Sequence, residues 1–366
     1  MVRIQYDHQI FSMQRYGGIS RYFANLQQGI NESVSHEQHN GILFSRNHYL
    51  NSAGLLPADV GNRLFKTDRK IYKWNNRYSK LSIQLNGYDI FHPTYYDPYF
   101  LKYNTKPFVL TVHDMIHELF PENFHKDDVY AGYKKKCISQ ADHIIAISQC
   151  TKNDLQQFFD IPDEKITVIH HGIALSPPEY SHISDLPEQY ILLVGERVGY
   201  KNFKVMAEAF SLISKDNPKL FLVLAGGGPL TGAEAADLAD KQILDKTIQV
   251  TATDLELNTL YKNAQCFVFP SLYEGFGLPI LEAFKNNCPV ILSNSSCFPE
   301  IAGNNAALYF DATSGKSLAD QMQIIQCDEN KRDELVIQGR ARLLNYPIQR
   351  CIQETLAVYD AISAGL

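Results

Sequence analysis

The chain lacks most of the features that announce a chemistry by themselves. Its seven cysteines (137, 150, 266, 288, 297, 327 and 351) form no Cys-x-x-Cys and no paired ligand spacing. Such a scattered, odd set excludes a zinc-finger pattern and reads as reduced thiols, not as a disulfide framework. No apolar run approaches the roughly 18 residues of a spanning helix, and the opening MVRIQYDHQIF carries no apolar signal segment. Positive charge is not in excess: 34 Lys+Arg face 40 Asp+Glu, a formal net charge of −6, so no nucleic-acid partner is expected. There is no Asp-x-Asp to hold a divalent metal against a diphosphate, no Walker loop, and no nucleophile elbow with Ser-His-Asp order. These absences predict a cytoplasmic protein, at most resting on the inner face of a membrane, that works without a metal.

What is present is ample apolar material. With 366 residues, 45% of them hydrophobic, two cores are the natural expectation. Short runs rich in Val, Ile, Leu and Phe alternate with helical stretches twice over. In the first half they are 3–6, 41–44, 88–91, 107–112, 143–147 and 166–169. In the second half they are 190–194, 220–224, 247–250, 266–269, 289–292 and 307–310. Such runs imply parallel sheets covered on both faces, hence an α/β protein with two doubly wound, Rossmann-like domains. The Pro-rich polar stretch 176–189 marks the seam, giving domains 1–180 and 181–346 and a last helix, 347–366, expected near the junction. Residues 1–180 carry 19 basic and 18 acidic side chains and residues 181–366 carry 15 and 22, so the first half is the better face for an anionic partner.

In open α/β sheets, ligands meet the residues just beyond the strands. The most informative of these is PSLYEGFGLPILE, 270–282. Gly275 and Gly277 permit a sharp bend, Pro279 suits the first position of a helix, and the first turn of that helix favours an anion. Glu274 and Glu282, with seven residues between them, then stand on either side of a ligand whose negative part lies over the helix. The whole string is far less prone to accident than two glutamates on a solvated helix face. Arg197 and Lys201 follow the first strand of the second half and can neutralise a departing diphosphate. Gly17-Gly18 lies between the first strand and a helix starting near Ser20, and Gly226-Gly227 follows the strand at 220–224. His113-Asp114 and His92 end strands of the first half. A lone histidine there is more often structural than catalytic, and His170 and His171 compete with His92 for any acceptor-side role.

SLYEGFGLPILEA resembles the Glu-x7-Glu signature of family-4 retaining glycosyltransferases, and the similarity extends collinearly over most of the chain, most strongly from 190 to 299. The resemblance implies a GT-B fold, with two Rossmann-like domains facing each other across a cleft that holds a GDP- or UDP-linked sugar. It assigns Glu274 to the donor-sugar hydroxyls, Glu282 to the ribose, and Arg197 and Lys201 to the diphosphate. Gly17, Gly18 and the Phe276–Leu278 turn (Phe276, Gly277, Leu278) fall to the phosphates, Gly226 and Gly227 to the nucleotide border, and His113 to the donor sugar, with Asp114 fixing its ring. The implied activity is transfer of a hexose, mannose or similar, to a glycan or lipid-linked acceptor, as in bacterial surface-polysaccharide assembly. A nucleotide-sugar epimerase of the same fold, or a binding protein without catalysis, stay as alternatives.

One clue is independent of the signature. The segment 63–81 is strongly basic, with Asp68 alone opposing. Ile71, Trp74, Tyr78 and Leu81 recur at three- and four-residue intervals, and Lys70, Lys73, Arg77 and Lys80 precede each by one. On a helix these form two adjacent stripes. The apolar stripe either packs on the first domain or rests on an anionic membrane.

Overall fold

The computed structural model describes residues 1–56, 65 and 67–365. The chain forms two compact units, residues 1–172 with 348–366, and residues 173–347. Residues 173–180, grouped with the first domain on composition, thus pack with the second unit, and the C-terminal helix Ile348–Ala364 packs with the first.

In the first unit, β1 (Val2–Tyr6), β2 (His36–Asn40) and β3 (Ile90–His92) form a parallel sheet ordered β2-β1-β3. A parallel bridge from Phe91 to Phe108 leads on to β4 (Val109–Val112), β5 (His143–Ala146) and β6 (Ile166–Val168). Helix Gly18–Asn31 lays Tyr22, Phe23, Leu26 and Ile30 against this sheet's core, at the spacing of one helix face. Each such fully buried side chain contributes about 1.5–3 kcal/mol by leaving water.

The strand expected at 41–44 is a correction: the strand is His36–Asn40, HEQHN. It lies at the sheet edge, half-exposed, so backbone pairing to β1 defines it and apolar side chains are not required. The apolar residues that follow have left the sheet. The N–H groups of Leu43 and Phe44 donate instead to Asn75 Oδ1, at 3.1 and 3.0 Å.

In the second unit, β7 (Gln189–Val194), β8 (Leu220–Ala225), β9 (Thr247–Val250), β10 (Cys266–Phe269), β11 (Val290–Ser293) and β12 (Leu308–Phe310) form one parallel sheet ordered β12-β11-β10-β7-β8-β9. Its core is apolar throughout, with Phe210, Leu222, Val268, Ile291 and Met322 at its centre. Four strands read as near-continuous hydrophobic runs (YILLV, LFLVL, CFVF, VIL) because helices cover both faces.

Helix Asp68–Gln84 carries most of the basic segment; Arg63, Leu64 and Lys66 lie outside the described residues. It buries Ile71, Asn75, Ser79 and Ile83, not the stripe of Trp74, Tyr78 and Leu81. The polar anchors explain this. Asn75 exchanges hydrogen bonds with Leu43, Phe44 and Ser12, and the Ser79 hydroxyl meets Tyr99 OH at 2.7 Å. Trp74 and Leu81 are left 47% and 53% exposed beside Lys70, Lys73 and Arg77.

Candidate active site

The strand order of the second unit reverses between β7 and β10, whose following strands run outward in opposite directions. Loops diverge at such a point and leave a crevice. Lys201 comes from the loop after β7 and Glu274 from the loop after β10, and Lys201 Nζ lies 2.6 Å from Glu274 Oε1 with the side chains 20% and 13% exposed. Backbone and side-chain bonds join the two loops. Leu272 N–H donates to Tyr200 O at 2.7 Å. Asn202 Nδ2 donates to Pro270 O at 3.0 Å and to Ala312 O at 2.8 Å. Asn202 itself adopts φ 59°, the left-handed region that asparagine tolerates better than most side chains.

Serines hold Glu274 from behind. Ser271, fully buried, donates to Glu274 Oε1 at 2.7 Å. Ser296 Oγ accepts from Glu274 N–H at 3.1 Å and donates to Glu274 O at 2.5 Å. Ser293 donates to Ser271 O, also at 2.5 Å, so the loop after β11 supports the loop after β10.

Helix Leu278–Lys285 follows. Gly277 precedes it at φ 90°, and a Cβ there would come 3.0 Å from Ile280 Cδ1 and 3.3 Å from the Phe298 ring. Pro279 is the second helical residue and not the first, which equally costs no hydrogen bond, because the opening N–H groups of a helix have no partner within it. Phe276 is buried, its carbonyl accepting from Cys297 Sγ at 3.2 Å. Glu282 accepts from the buried Tyr261 hydroxyl at 3.3 Å. Glu274, Lys201, Gly277 and Glu282 therefore line one connected stretch of strand ends and helix start.

Arg197 is turned onto the glycine loop. Gly226, Gly227 and Gly228 follow β8 at φ 85°, 69° and 70°. The Arg197 guanidinium donates to Gly226 O (3.0 Å), Gly227 O (3.3 Å), Gly228 O (3.0 Å) and Pro229 O (3.3 Å), and Nε to Glu234 Oε1 (2.8 Å).

In the first unit, Gly17 caps helix Gly18–Asn31, two residues earlier than the expected start near Ser20, and its carbonyl accepts from the Ser20 hydroxyl at 3.0 Å. His113 directly follows β4 and is 6% exposed, and neither ring nitrogen has a hydrogen-bond partner among the described residues. Its ring stacks on His171 with centroids 5.8 Å apart. Burial, reinforced by His171, His92 and Lys134, holds its pKa well below the ordinary imidazole value, so the ring is neutral at pH 7.

Two expectations fail here. Asp114 does not orient His113: its carboxylate accepts from Ile116 N–H, and the buried Lys134 Nζ donates to its carbonyl at 3.1 Å. His92 is structural, since Nδ1 meets Tyr359 OH at 2.6 Å, Nε2 meets Thr111 Oγ1 at 2.9 Å, and the side chain is fully buried.

Two family profiles match in tandem. Residues 16–176 match Glycosyltransferase Family 4, and residues 180–342 match Glycosyl transferases group 1. The chain is a family-4 glycosyltransferase.

Its curated relatives include the O-antigen chain mannosyltransferase RfbU of Salmonella typhimurium, 27% identical over 59% of this chain and 60% of that protein. The O-antigen chain mannosyltransferase B of Escherichia coli is 26% identical over 73% of this chain and 74% of that one. Among solved structures, sucrose-phosphate synthase from Thermosynechococcus elongatus superposes with a TM-score of 0.76 at 18% identity over the whole of both chains. Anabaena HepE in complex with UDP and glucose gives 0.75 at 14% identity over 99% of this chain and 100% of that one. The fold of the glycosyltransferase is GT-B, two parallel α/β domains.

In the sequence of this glycosyltransferase, Asn202, Ser271, Ser296 and Glu234 do not stand out as site residues. Asn202 and the Ser-Asn-Ser-Ser run at 293–296 do sit just past strand ends, a position that offered a signal. Glu234 offered only a Thr-x-x-Glu capping pattern, which points to a helix start and not to Arg197.

Proposed function

We propose that this glycosyltransferase moves a hexose, mannose or a close relative, from a nucleoside diphosphate to a glycan or lipid-linked acceptor, with retention and without a metal. The observation that carries the reading is the Lys201–Glu274 pair at the β7/β10 reversal, with Glu282 eight residues on. Lys201 and the N–H groups at Phe276–Leu278 meet the diphosphate, Glu274 positions the sugar, and Glu282 holds the ribose. Gly226-Gly227 borders the nucleotide, with Arg197 behind that loop. Within the first unit, Gly17-Gly18 is proposed to meet phosphate and His113 to meet a sugar. The sequence offers no evident enzymic nucleophile. The acceptor oxygen therefore attacks the anomeric carbon on the face from which the phosphate leaves. The C–O bond to phosphate breaks as the new one forms, and the acceptor's proton passes to the departing phosphate oxygen.

Mannose and a surface-polysaccharide role are supported by the two O-antigen mannosyltransferases, and a uridine donor by the UDP complex of HepE. The test is thermal shift with a panel of UDP- and GDP-hexoses, since a true donor stabilises by mass action. Turnover of the positive donor is then followed with and without glycan acceptors and in excess EDTA. Donor-specific stabilisation with acceptor-dependent, EDTA-insensitive turnover is expected. Conversion without acceptor would favour an epimerase, and no stabilisation by any donor would sink the reading.

For the acceptor side, we propose that helix Asp68–Gln84 rests the first unit on an anionic membrane. Exposed Trp74, Leu81 and Leu85 beside Lys70, Lys73 and Arg77 support this, as does the absence, among the described residues, of any helix long and apolar enough to cross a bilayer. Co-sedimentation with anionic vesicles is expected to weaken with salt and to vanish when Lys70, Lys73 and Arg77 become Glu. Equal behaviour of parent and variant overturns the membrane reading.

A further inference from the structure

Away from the donor site, the first unit holds a second charged hollow. A cavity of about 530 Å³, open to solvent, lies between helix Asp68–Gln84, the turn Pro98–Lys102 and helix Tyr130–Gln140. Each of the three supplies one lysine to its lining: Lys80, Lys102 and Lys136. Among the described residues, none of these lysines forms an ion pair. Other lysines of the unit do find carboxylates, Lys134 pairing with Glu118 at 2.6 Å and Lys152 with Asp163 at 2.7 Å. One carboxylate faces the cavity, that of Asp97, and it is already committed. Its Oδ2 accepts from Tyr72 OH at 3.0 Å and its Oδ1 from Tyr99 N–H at 3.1 Å. Positive charge is therefore in excess there, and gathering like charges costs the fold through repulsion that an anion would relieve.

The wall is aromatic and fixed. Lys80 Nζ stands 5.6 Å from the centroid of the Tyr99 ring and 5.8 Å from that of Tyr103, so two ring faces attract its ammonium. The Tyr99 hydroxyl meets Ser79 Oγ at 2.7 Å and donates to Asp7 Oδ2 at 3.2 Å. Asp97 is held by its backbone, its N–H donating to Gln9 Oε1 at 2.7 Å and its carbonyl accepting from Gln9 Nε2 at 3.1 Å. A wall set before a ligand arrives loses little freedom on binding. Lysines solvated on an open helix face have no such floor.

We infer that the cavity lined by Lys80, Lys102 and Lys136 binds a phosphate ester, with the ammonium groups on phosphate oxygens and the organic part against Tyr99 and Tyr103. Three point-charge donors from three elements suit an anion whose oxygens spread in several directions. The volume falls within the roughly 300–1,000 Å³ of small-molecule sites, room for more than a bare ion. Two sources carry this chemistry, a phospholipid headgroup and a soluble sugar phosphate. Lys73, Arg77 and Lys80, four and three residues apart, share one face of helix Asp68–Gln84, so the cavity continues its basic stripe. The headgroup source rests on the membrane reading of that helix, and the soluble source does not.

The test uses the full chain. Glycerol 3-phosphate and glucose 6-phosphate are titrated by calorimetry beside glycerol and glucose, and phosphatidylcholine vesicles are sedimented with and without phosphatidic acid. Lys80→Gln/Lys102→Gln empties the cavity of two charges. Lys126→Gln/Lys135→Gln removes the same charge from exposed positions outside it. Lys201→Ala disables the donor site, and Lys136→Gln repeats the test on a single exposed side chain with melting temperatures as the folding control. The parent is expected to bind a phosphate ester and not its uncharged counterpart, more weakly as salt rises. Affinity falls about tenfold or more in Lys80→Gln/Lys102→Gln and in Lys136→Gln, the scale of a lost hydrogen bond to a charged group, and stays parental in the other two variants. Soluble esters bound in this pattern assign a sugar phosphate; phosphatidic acid vesicles alone bound in this pattern assign a headgroup. Binding that survives loss of Lys80 and Lys102, that falls equally without Lys126 and Lys135, or that vanishes only in Lys201→Ala overturns the inference, as does a parent that binds no phosphate ester in either arm. Vesicle binding that needs Lys70, Lys73 and Arg77 but not Lys80 and Lys102 keeps the membrane reading and overturns the headgroup site.

Discussion

The two units share a layered parallel design, yet they handle polar residues in opposite ways. In the second unit four of the six strands are near-continuous apolar runs, and polar side chains gather just beyond strand ends, as at Lys201, Ser271, Glu274 and Ser296. In the first unit polarity runs through the interior. Asp7 accepts from Thr94, Gln9 and Tyr99 beneath the sheet. A second chain of bonds runs from Tyr6 through Tyr359, His92 and Thr111 to Tyr22. Buried polar groups cost stability unless partnered, so such networks fix one geometry and make every member structural. In the second unit a polar residue after a strand marks a site. In the first it marks architecture as often as function.

That contrast predicts where substitutions act, and its largest consequence lies in the second unit. Lys201→Ala and Glu274→Gln are expected to lower turnover about 10²-fold or more, the scale of losing one contact to developing charge, and to shift the melting temperature by less than about 5 °C. Glu282→Ala is expected to weaken nucleotide binding more than it slows the chemical step. Steady-state kinetics beside thermal unfolding makes the check. Near-parental turnover in all three, or unfolding in any, would erase the separation of site from core in this unit.

The same contrast explains what could be read from the sequence. In the second unit, the six expected runs fall on six strands, and the loop containing Glu274 and Glu282 stands out because it directly follows the wholly apolar, buried CFVF. In the first unit, His36–Asn40 is a strand with no apolar residue, invisible to a hydrophobicity pattern because β1 supplies its backbone partners. His92 and His113 both end strands and look alike in sequence, but only the fold shows that one is bonded at both nitrogens and the other at neither. The stripe on helix Asp68–Gln84 was legible as a pattern, yet its packing was not, since Asn75 and Ser79 bury themselves through partners up to 63 residues away. The Arg197–Glu234 contact joins residues 37 positions apart and depends on three left-handed glycines, which no spacing rule encodes.

His92 and His113 offer a sharper test inside the first unit, of intermediate size. Both are buried, so truncation to Ala leaves a similar cavity, but His92→Ala also takes one of two hydrogen-bond partners from Tyr359 OH and from Thr111 Oγ1. His92→Ala is expected to be less stable than His113→Ala by about 1–2 kcal/mol, the scale of two hydrogen bonds lost, from urea unfolding midpoints. At equal folded concentration, His113→Ala is expected to lose about tenfold or more in turnover, the low end for a positioned catalytic group. Equal destabilisation by both, with turnover tracking folded protein alone, would place His113 among the structural histidines.

The smallest effect is graded with pH and follows from where the histidines lie. Eleven of the twelve histidines fall in the first unit, and the twelfth, His182, is exposed on the second. Burial pushes His8, His92 and His171 down to about 3, and His113 is lowered in the same direction. Between pH 6.5 and those values the unfolded chain binds protons that the folded chain refuses, so stability falls as pH falls. Each of the three contributes a loss of about 1 kcal/mol between pH 6.5 and 5.5, beginning as the unfolded imidazole titrates. Asp7 acts in the other direction. Burial raises its pKa, so its protonation favours the folded state and offsets part of the loss at the acid end. Amide exchange at pH 7.5 and 5.5, corrected for the intrinsic rate, separates the units within one chain. Protection in β1, β3 and β4 is expected to drop by a few kcal/mol while β7, β8 and β10 hold theirs. An equal drop in both sheets would mean that the charge of the whole chain, and not the buried imidazoles of one unit, governs its acid sensitivity.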